Sequence, residues 1–416
     1  MIRRACMLAI LHALCLRAED CPAGRDTVLT HETQLHNDIL CGYQANFRPV
    51  KDYKKTVEVK VRLALKYFSF DSSEETLTIH SWLALTWQDE FLPWTPADYG
   101  GIKELILESH NIWTPSMSLF NADVTTYSSD TFFSTCLVES TGKVMCVPHV
   151  SHSAICRTNI KRWPYDKQTC TFFFGSWMHT GEQINFTFYA TNPVVLDEYQ
   201  AGPGWNLLNV TNKRLPGAYA CCPNSSYPML KYTFELEREA AGPASIIIIP
   251  SIVLVLLTLC SMLLDVKDNV RLLLNCFSLF GHFMFINQMS FEIPKHSKDT
   301  PIILLFLRDS MLMTLVSVLV TLLLMSLRRR VLPAPGWVCA LTRVVTRGPG
   351  KYVVFSEFDP ADMKVESGPP TEESHTTAGT EWTQLSNIVN SIMFIVYSFI
   401  YLIIICTYIP KPYVEF

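Results

Sequence analysis

Two hydrophobic patterns divide the chain near residue 239. Before it, apolar and polar residues alternate with period two: Val57, Val59, Val61, Leu63 and Leu65, then Ile184, Phe186 and Phe188, then Tyr232, Phe234 and Leu236. Successive side chains of a strand point to opposite faces, so each run reads as a strand with one buried face. Turn signals at Asp71-Ser72-Ser73, Ser140-Thr141-Gly142 and Gly202-Pro203-Gly204 separate them. Many short strands with frequent turns predict a β-sandwich over residues 19–238.

After residue 239 the alternation gives way to long apolar runs. No charge lies between Glu239 and Asp265, between Arg271 and Glu292, or between Glu381 and Lys411. A fourth run starts near Pro301, holds Arg308-Asp309 near one end, and stops at Arg328-Arg329-Arg330. A bilayer core needs about 20 apolar residues per helix. Transmembrane helices are therefore expected over 240–264, 270–292, 301–327 and 383–409. Lys267 and Arg271 follow the first span and the arginine triplet follows the third, so the positive-inside rule puts both loops in the cytoplasm. The N-terminal domain and the tail 410–416 then lie outside. The loop 328–381 is short; its second part, around 356–381, is rich in Ser, Thr, Pro, Glu and Gly and is expected to be disordered.

Composition changes the picture in three places. The chain of 416 residues carries a net charge of −4 and no basic stretch suited to nucleic acid, which discards that partner class. Residues 1–18 begin with Arg3 and Arg4, continue into an apolar run and end at a small residue, as a secretory signal peptide does. Eight of the fourteen cysteines fall in 19–238, an even number suited to an oxidising compartment. The sequons at Asn185, Asn209 and Asn224 fall in the same half, where glycosylation needs them. A nucleophile elbow, an HExxH pair and a glycine-rich phosphate loop are all absent, so no enzyme, cofactor or metal site is expected.

The stretch Cys156 to Trp177 carries the most information. Two cysteines bracket thirteen residues with Trp163-Pro164-Tyr165-Asp166 between them. A disulfide here would close a loop of about 15 residues, contributing ~3 kcal/mol. Proline between aromatic residues favours a sharp turn and admits the cis isomer. With Phe174-Gly175-Ser176-Trp177 following, this segment resembles the signature loop of the Cys-loop (pentameric ligand-gated ion channel) receptors. One sandwich and four spans match that family's architecture, and the resemblance covers about residues 50–410. It implies a Cys156–Cys170 link, other copies or related subunits in a pentamer, and a plasma-membrane setting.

Within the family the chain looks most like a nicotinic acetylcholine receptor subunit of the alpha type. Tyr219-Ala220-Cys221-Cys222 and Tyr227 resemble the hairpin tip that closes over the agonist. The resemblance implies a Cys221–Cys222 link and an aromatic cage of Trp177, Tyr219 and Tyr227. Trp82 to Trp94 matches the pattern WLxxxWxDxxLxW and offers Trp82 from a neighbouring copy, with Met145 and Val147 on the next strand. Ring faces within ~6 Å hold a quaternary or protonated amine, contributing ~2 kcal/mol or more when desolvated. The expected partner is therefore a small cationic agonist.

Departures from the family pattern mark what is peculiar to this chain. Phe120 stands where the cage tyrosine is usual, Ser116 where an aspartate is usual, Cys146 replaces an aromatic residue, and His149 replaces a proline. Cys136 and Cys146 flank a hairpin turn, and the sequence leaves their pairing open.

By resemblance, ligand binding couples to the membrane through the tip 163–166, the turn at 71–75 and Arg238. A buried cation needs a carboxylate, and Asp166, Asp71, Glu74 and Glu75 are the candidates. The second span should line the pore, and two counts give two faces. Counting from Asp265 puts Asp268 at an inner ring and Asn275, Ser278 and His282 on the pore stripe. Counting back from Pro294 puts Arg271 at the inner end and Leu273, Phe277, Phe280 and Met284 on the pore face, an apolar constriction. The first, polar frame is the working expectation, with cations as the ions because the Pro-Ala pair of anion-selective members is missing.

Overall fold

The structure, a computed structural model, describes residues 30–123, 134–220, 222–223, 225–293, 299–330, 333–347 and 377–410. The proposed signal peptide, Cys221, Asn224, much of the 328–381 loop and residues 411–416 lie outside the described residues. The chain divides into two compact units, one built mainly from 30–236, the other from 237 onward together with the short segments 72–74 and 158–168.

The first unit opens with α1 (His31–Leu40), capped by Thr30, whose hydroxyl accepts from the Thr33 amide at 3.2 Å. Two sheets follow. In the larger one the order is β10 (Val194–Val195), β1 (Val57–Asp71), β2 (Thr76–Gln88), β6 (Lys143–Cys146), β5 (Thr135–Glu139) and β3 (Glu104–Glu108). Beside that path β7 (His149–Ile155) pairs with β2 and β9 (Ile184–Phe188) with β1. The smaller sheet runs β11 (Trp205–Leu215), β12 (Met229–Arg238), β8 (Lys167–Gly175) and β4 (Ser118–Leu119).

The alternation seen in the sequence is the alternation of burial. Val57, Val59, Val61, Leu63 and Leu65 of β1 and Leu77, Ile79, Leu83 and Leu85 of β2 face inward. They meet Phe172, Phe174, Tyr232 and Phe234 of the smaller sheet in one core. The predicted β-sandwich is the fold of this unit.

Cys156 and Cys170 are disulfide-bonded with Cα atoms 5.1 Å apart. Cys156→Ser opens this loop and should lower the unfolding free energy by about 3 kcal/mol. Urea denaturation of the two proteins measures the difference, and a loss below about 1 kcal/mol would refute the loop-closure estimate. Cys136 and Cys146 are also bonded, directly opposite each other on β5 and β6, with both side chains turned into the core.

The second unit holds α2 (Ala241–Ser261), α3 (Asn269–Glu292), α4 (Ile302–Arg328), α5 (Gly336–Arg347) and α6 (Thr377–Tyr408). All but α5 are long and apolar enough to cross a membrane. These four pack as a bundle around Ile247, Val255, Ile303, Phe306, Tyr397 and Tyr401.

Candidate functional site

Trp177 follows β8 and is 71% exposed, an unusual state for a ring of that size. Phe120, just after β4, lies beside it with ring centroids 5.6 Å apart. Between them Gly175 leaves the necessary room: a Cβ there would come within 2.9 Å of the Phe120 ring.

The second ring pair comes from the connection between β11 and β12. Ala218 and Ser226 bridge across this hairpin, and Tyr219 and Tyr227 meet edge to face at 6.0 Å. Gly217 sits at its base with φ +63°, and a Cβ there would lie 1.6 Å from the Tyr227 carbonyl oxygen. Only glycine lets the two arms close in this way. The hairpin is tied to the Trp177 loop by the Gly181 amide, which donates to the Ser226 carbonyl at 2.7 Å. Met229 Sδ accepts from the Tyr219 hydroxyl at 3.4 Å. The sequence expectation on Cys221–Cys222 concerns a residue outside those described.

Ser116, in the place of the family's aspartate, is 3.4 Å from both Ser176 Oγ and His179 Nδ1. Ser176 also accepts from the His179 amide at 3.1 Å. This loop is thus ordered by neutral hydroxyls and an imidazole. Burial, followed by the charge of Arg48, lowers the His179 pKa below its ordinary value.

Trp82 of β2 and Met145 of β6 belong to the larger sheet, and Val147 lies in the connection between β6 and β7. Trp82 is 39% exposed on the outer face of β2, and Met145 and Val147 are half-buried. Trp82 pairs in register with His149 of β7, and their rings meet edge to face at 5.1 Å. The structure therefore presents two separate groups of surface rings, carried by different sheets.

In the second unit the segment 158–168 has a cis Trp163–Pro164 bond. Trp163 is buried with Ile247, Met289, Ile303 and Phe306, and the Lys161 carbonyl accepts from the Ile302 amide at 3.0 Å. Asp166 is buried and takes Arg238 Nε at 2.7 Å and Arg238 Nη2 at 3.2 Å. Gln168 Nε2 donates to the same carboxylate at 2.6 Å. Of the four carboxylates the sequence offered to Arg238, Asp166 makes this two-pronged pair.

Comparison with known proteins decides the family. The family described as "Neurotransmitter-gated ion-channel ligand binding domain" matches residues 32–240. The chain belongs to the Cys-loop receptor family. Among curated relatives, "Acetylcholine receptor subunit alpha-like 2" of Drosophila melanogaster is 28% identical over 335 residues, 78% of this chain and 56% of the relative. "Acetylcholine receptor subunit alpha-L1" of Schistocerca gregaria is 29% identical over 306 residues, 71% of this chain and 55% of the relative. "Neuronal acetylcholine receptor subunit beta-3" of Gallus gallus is 27% identical over 384 residues, covering 89% and 82%. The chain spans little more than half the length of the two insect relatives.

For this Cys-loop receptor chain the polar pore frame must be corrected. Asn275, Ser278 and His282 are fully buried inside their own four-helix bundle. Asn275 Oδ1 accepts from Ser261 Oγ at 2.7 Å, Ser278 Oγ lies 2.8 Å from Thr258 Oγ1, and His282 Nε2 lies 2.7 Å from Ser310 Oγ. Arg271 continues the stripe, reaching Thr321 Oγ1 at 3.2 Å. Side chains that bond inward to α2 and α4 cannot also line a pore between copies. Asp268, which that frame placed at an inner ring, is exposed and caps α3: its Oδ1 accepts from the Val270 amide at 2.9 Å. Leu273, Phe277, Phe280 and Met284 form the outward face instead.

Asp89 is a residue whose role sequence reasoning missed. It lies inside the tryptophan motif, is buried, and accepts from the Tyr43 hydroxyl at 2.6 Å and the Phe91 amide at 2.8 Å. The same hydroxyl accepts from the Trp113 amide at 3.1 Å. Burial pushes the Asp89 carboxyl above the usual carboxylate range and raises the Tyr43 phenol as well. A carboxylate among the tryptophans of an apolar motif was the available signal.

Proposed function

We propose that this chain is a subunit of a ligand-gated, cation-selective channel that binds a small cationic amine between neighbouring copies. Trp177, Phe120, Tyr219 and Tyr227 form the principal wall, with Cys221 and Cys222 at the hairpin tip. Trp82, Met145 and Val147 of the next copy form the other. The observation that carries this reading is the exposure of Trp177 beside Phe120 and of Tyr219 beside Tyr227. Large exposed rings, each packed beside a half-buried second ring, mark a binding surface, and their negative faces suit a cation. The names of the relatives make acetylcholine the first ligand to try.

A site with two different walls requires a heterologous contact, which must close into a ring. The ring is fivefold by resemblance and crosses the plasma membrane with the sandwich outside, where Asn185, Asn209 and Asn224 can carry glycans. Asp71, Trp163, Pro164, Tyr165 and the Asp166–Arg238 pair transmit the signal. The apolar face of α3 closes the pore, and the exposed carboxylate of Asp268 at its start favours cations. A second reading, a subunit that binds ligand but conducts poorly alone, is supported by the two phenylalanines on that face.

Trp177→Ala should weaken acetylcholine binding to the purified full chain by about 30-fold or more, and Trp177→Phe by less, since Phe keeps a weaker quadrupole. Titration calorimetry reads both. Unchanged affinity in the alanine variant would exclude Trp177 from the site.

A further inference from the structure

The outer face of the larger sheet carries four rings in one strip. The register pairs Tyr67 with His80 between β1 and β2, His80 with Ser151 between β2 and β7, and Trp82 with His149. Tyr67 and His80 stack at 4.1 Å with 12° between their planes. His149 stands edge to face against Trp82 at 5.1 Å. Because His80 and Trp82 are two residues apart on one strand, both point outward, and His149 lies diagonally across from His80.

We propose that His80 and His149 make ligand affinity depend on pH, because a proton on His149 and a ligand cation compete for the face of Trp82. This rests on the placement of Trp82 in the ligand site. A cation within about 6 Å of an indole centroid is attracted to the ring, and His149 is already inside that range. Neutral, it is a polar neighbour; protonated, it takes up the quadrupole the ligand would use and repels the ligand as a like charge. His80 adds the second charge. Its pKa is lowered by burial first and by the charge of His149 second.

Among the described residues, the neighbouring strands offer these charges no ion pair on the shared face. On β1, Tyr67 is the stacking partner, Lys66 pairs with Glu198, and Arg62 lies over the Tyr189 ring. On β7 Ser151 stands opposite His80. On β6 Met145 is apolar and Lys143 pairs with Glu139. The affinity is therefore full above the histidine titration range and falls as pH drops through it. By linkage, a bound cation disfavours protonation by the same factor.

The test is binding of tetramethylammonium to the full chain at pH 7.5 and pH 5.5. The dissociation constant should rise about tenfold or more between them, because the two pH values lie on either side of the ordinary imidazole value. In H149Q the ratio of the two constants should fall toward one, and H80Q should reduce it in part. H179Q, on the other wall, should leave the ratio large. A flat wild-type profile, a ratio unchanged in the H80Q/H149Q double variant, or a ratio abolished by H179Q would overturn the inference while leaving the ligand site standing. Absence of binding at pH 7.5 would overturn the site itself and the inference with it.

Discussion

Asp166→Ala is expected to cost about 3–5 kcal/mol of stability, because it removes the buried carboxylate that binds two nitrogens of the Arg238 guanidinium. The carboxylate is 1% exposed and takes two nitrogens of Arg238 and one of Gln168. The Arg238 amide also donates to the Asp166 carbonyl at 3.2 Å, so the side-chain pair reinforces a backbone link between β12 and the 158–168 segment. Proteins are stable by only about 5–15 kcal/mol, so the variant should show little folded protein at the cell surface and a much lower melting temperature in detergent. The double variant Asp166→Ala/Arg238→Leu removes both charges and should recover most of the loss. A single variant as stable as the parent would mean that water or other groups satisfy Arg238 equally well.

Phe280→Ser is expected to produce the largest functional change: a current without ligand at least about tenfold above the parent. Leu273, Phe277, Phe280 and Met284 recur every three or four residues and are 48–68% exposed on one side of α3. If this side faces the axis of a closed ring, five phenylalanines meet there. An apolar constriction expels water and so blocks ions without filling the space. A serine in each copy supplies a hydroxyl and removes a large apolar surface, favouring a wetted pore. Recordings from membranes carrying the variant read this directly. A parent-like resting current in Phe280→Ser, alongside a changed conductance in Ser278→Ala, would restore the polar stripe to the pore and refute the buried arrangement.

The two halves of the fold were legible because burial and sequence share a period. Alternation in β1 and β12 reported which side of the sheet is dry, and apolar runs of bilayer length reported the four candidate spans. The outward face of α3 was not legible for a specific reason. Periodicity shows that α3 has a polar and an apolar side, but not which one turns toward its own bundle. The expectation followed the usual association of polar residues with water. Here the hydroxyls of Thr258, Ser261, Ser310 and Thr321 on α2 and α4 satisfy the polar side internally, so the apolar side is turned out. Asp166 was legible only as one of four carboxylates offered to Arg238, since loop proximity does not show in spacing. The Cys136–Cys146 link needed the β5–β6 register, which places the two directly opposite. The rings of the candidate site were recognisable through their family pattern, whereas the strip of His80, His149 and Tyr67 has no sequence motif and emerges only from strand pairing.

The most direct test of the central claim is whole-cell current from cells expressing this chain at their surface while acetylcholine or tetramethylammonium is applied. The account predicts a ligand-dependent current carried by cations in the parent and a large loss of it in Trp177→Ala. Surface protein that binds the amine yet passes no current would contradict it.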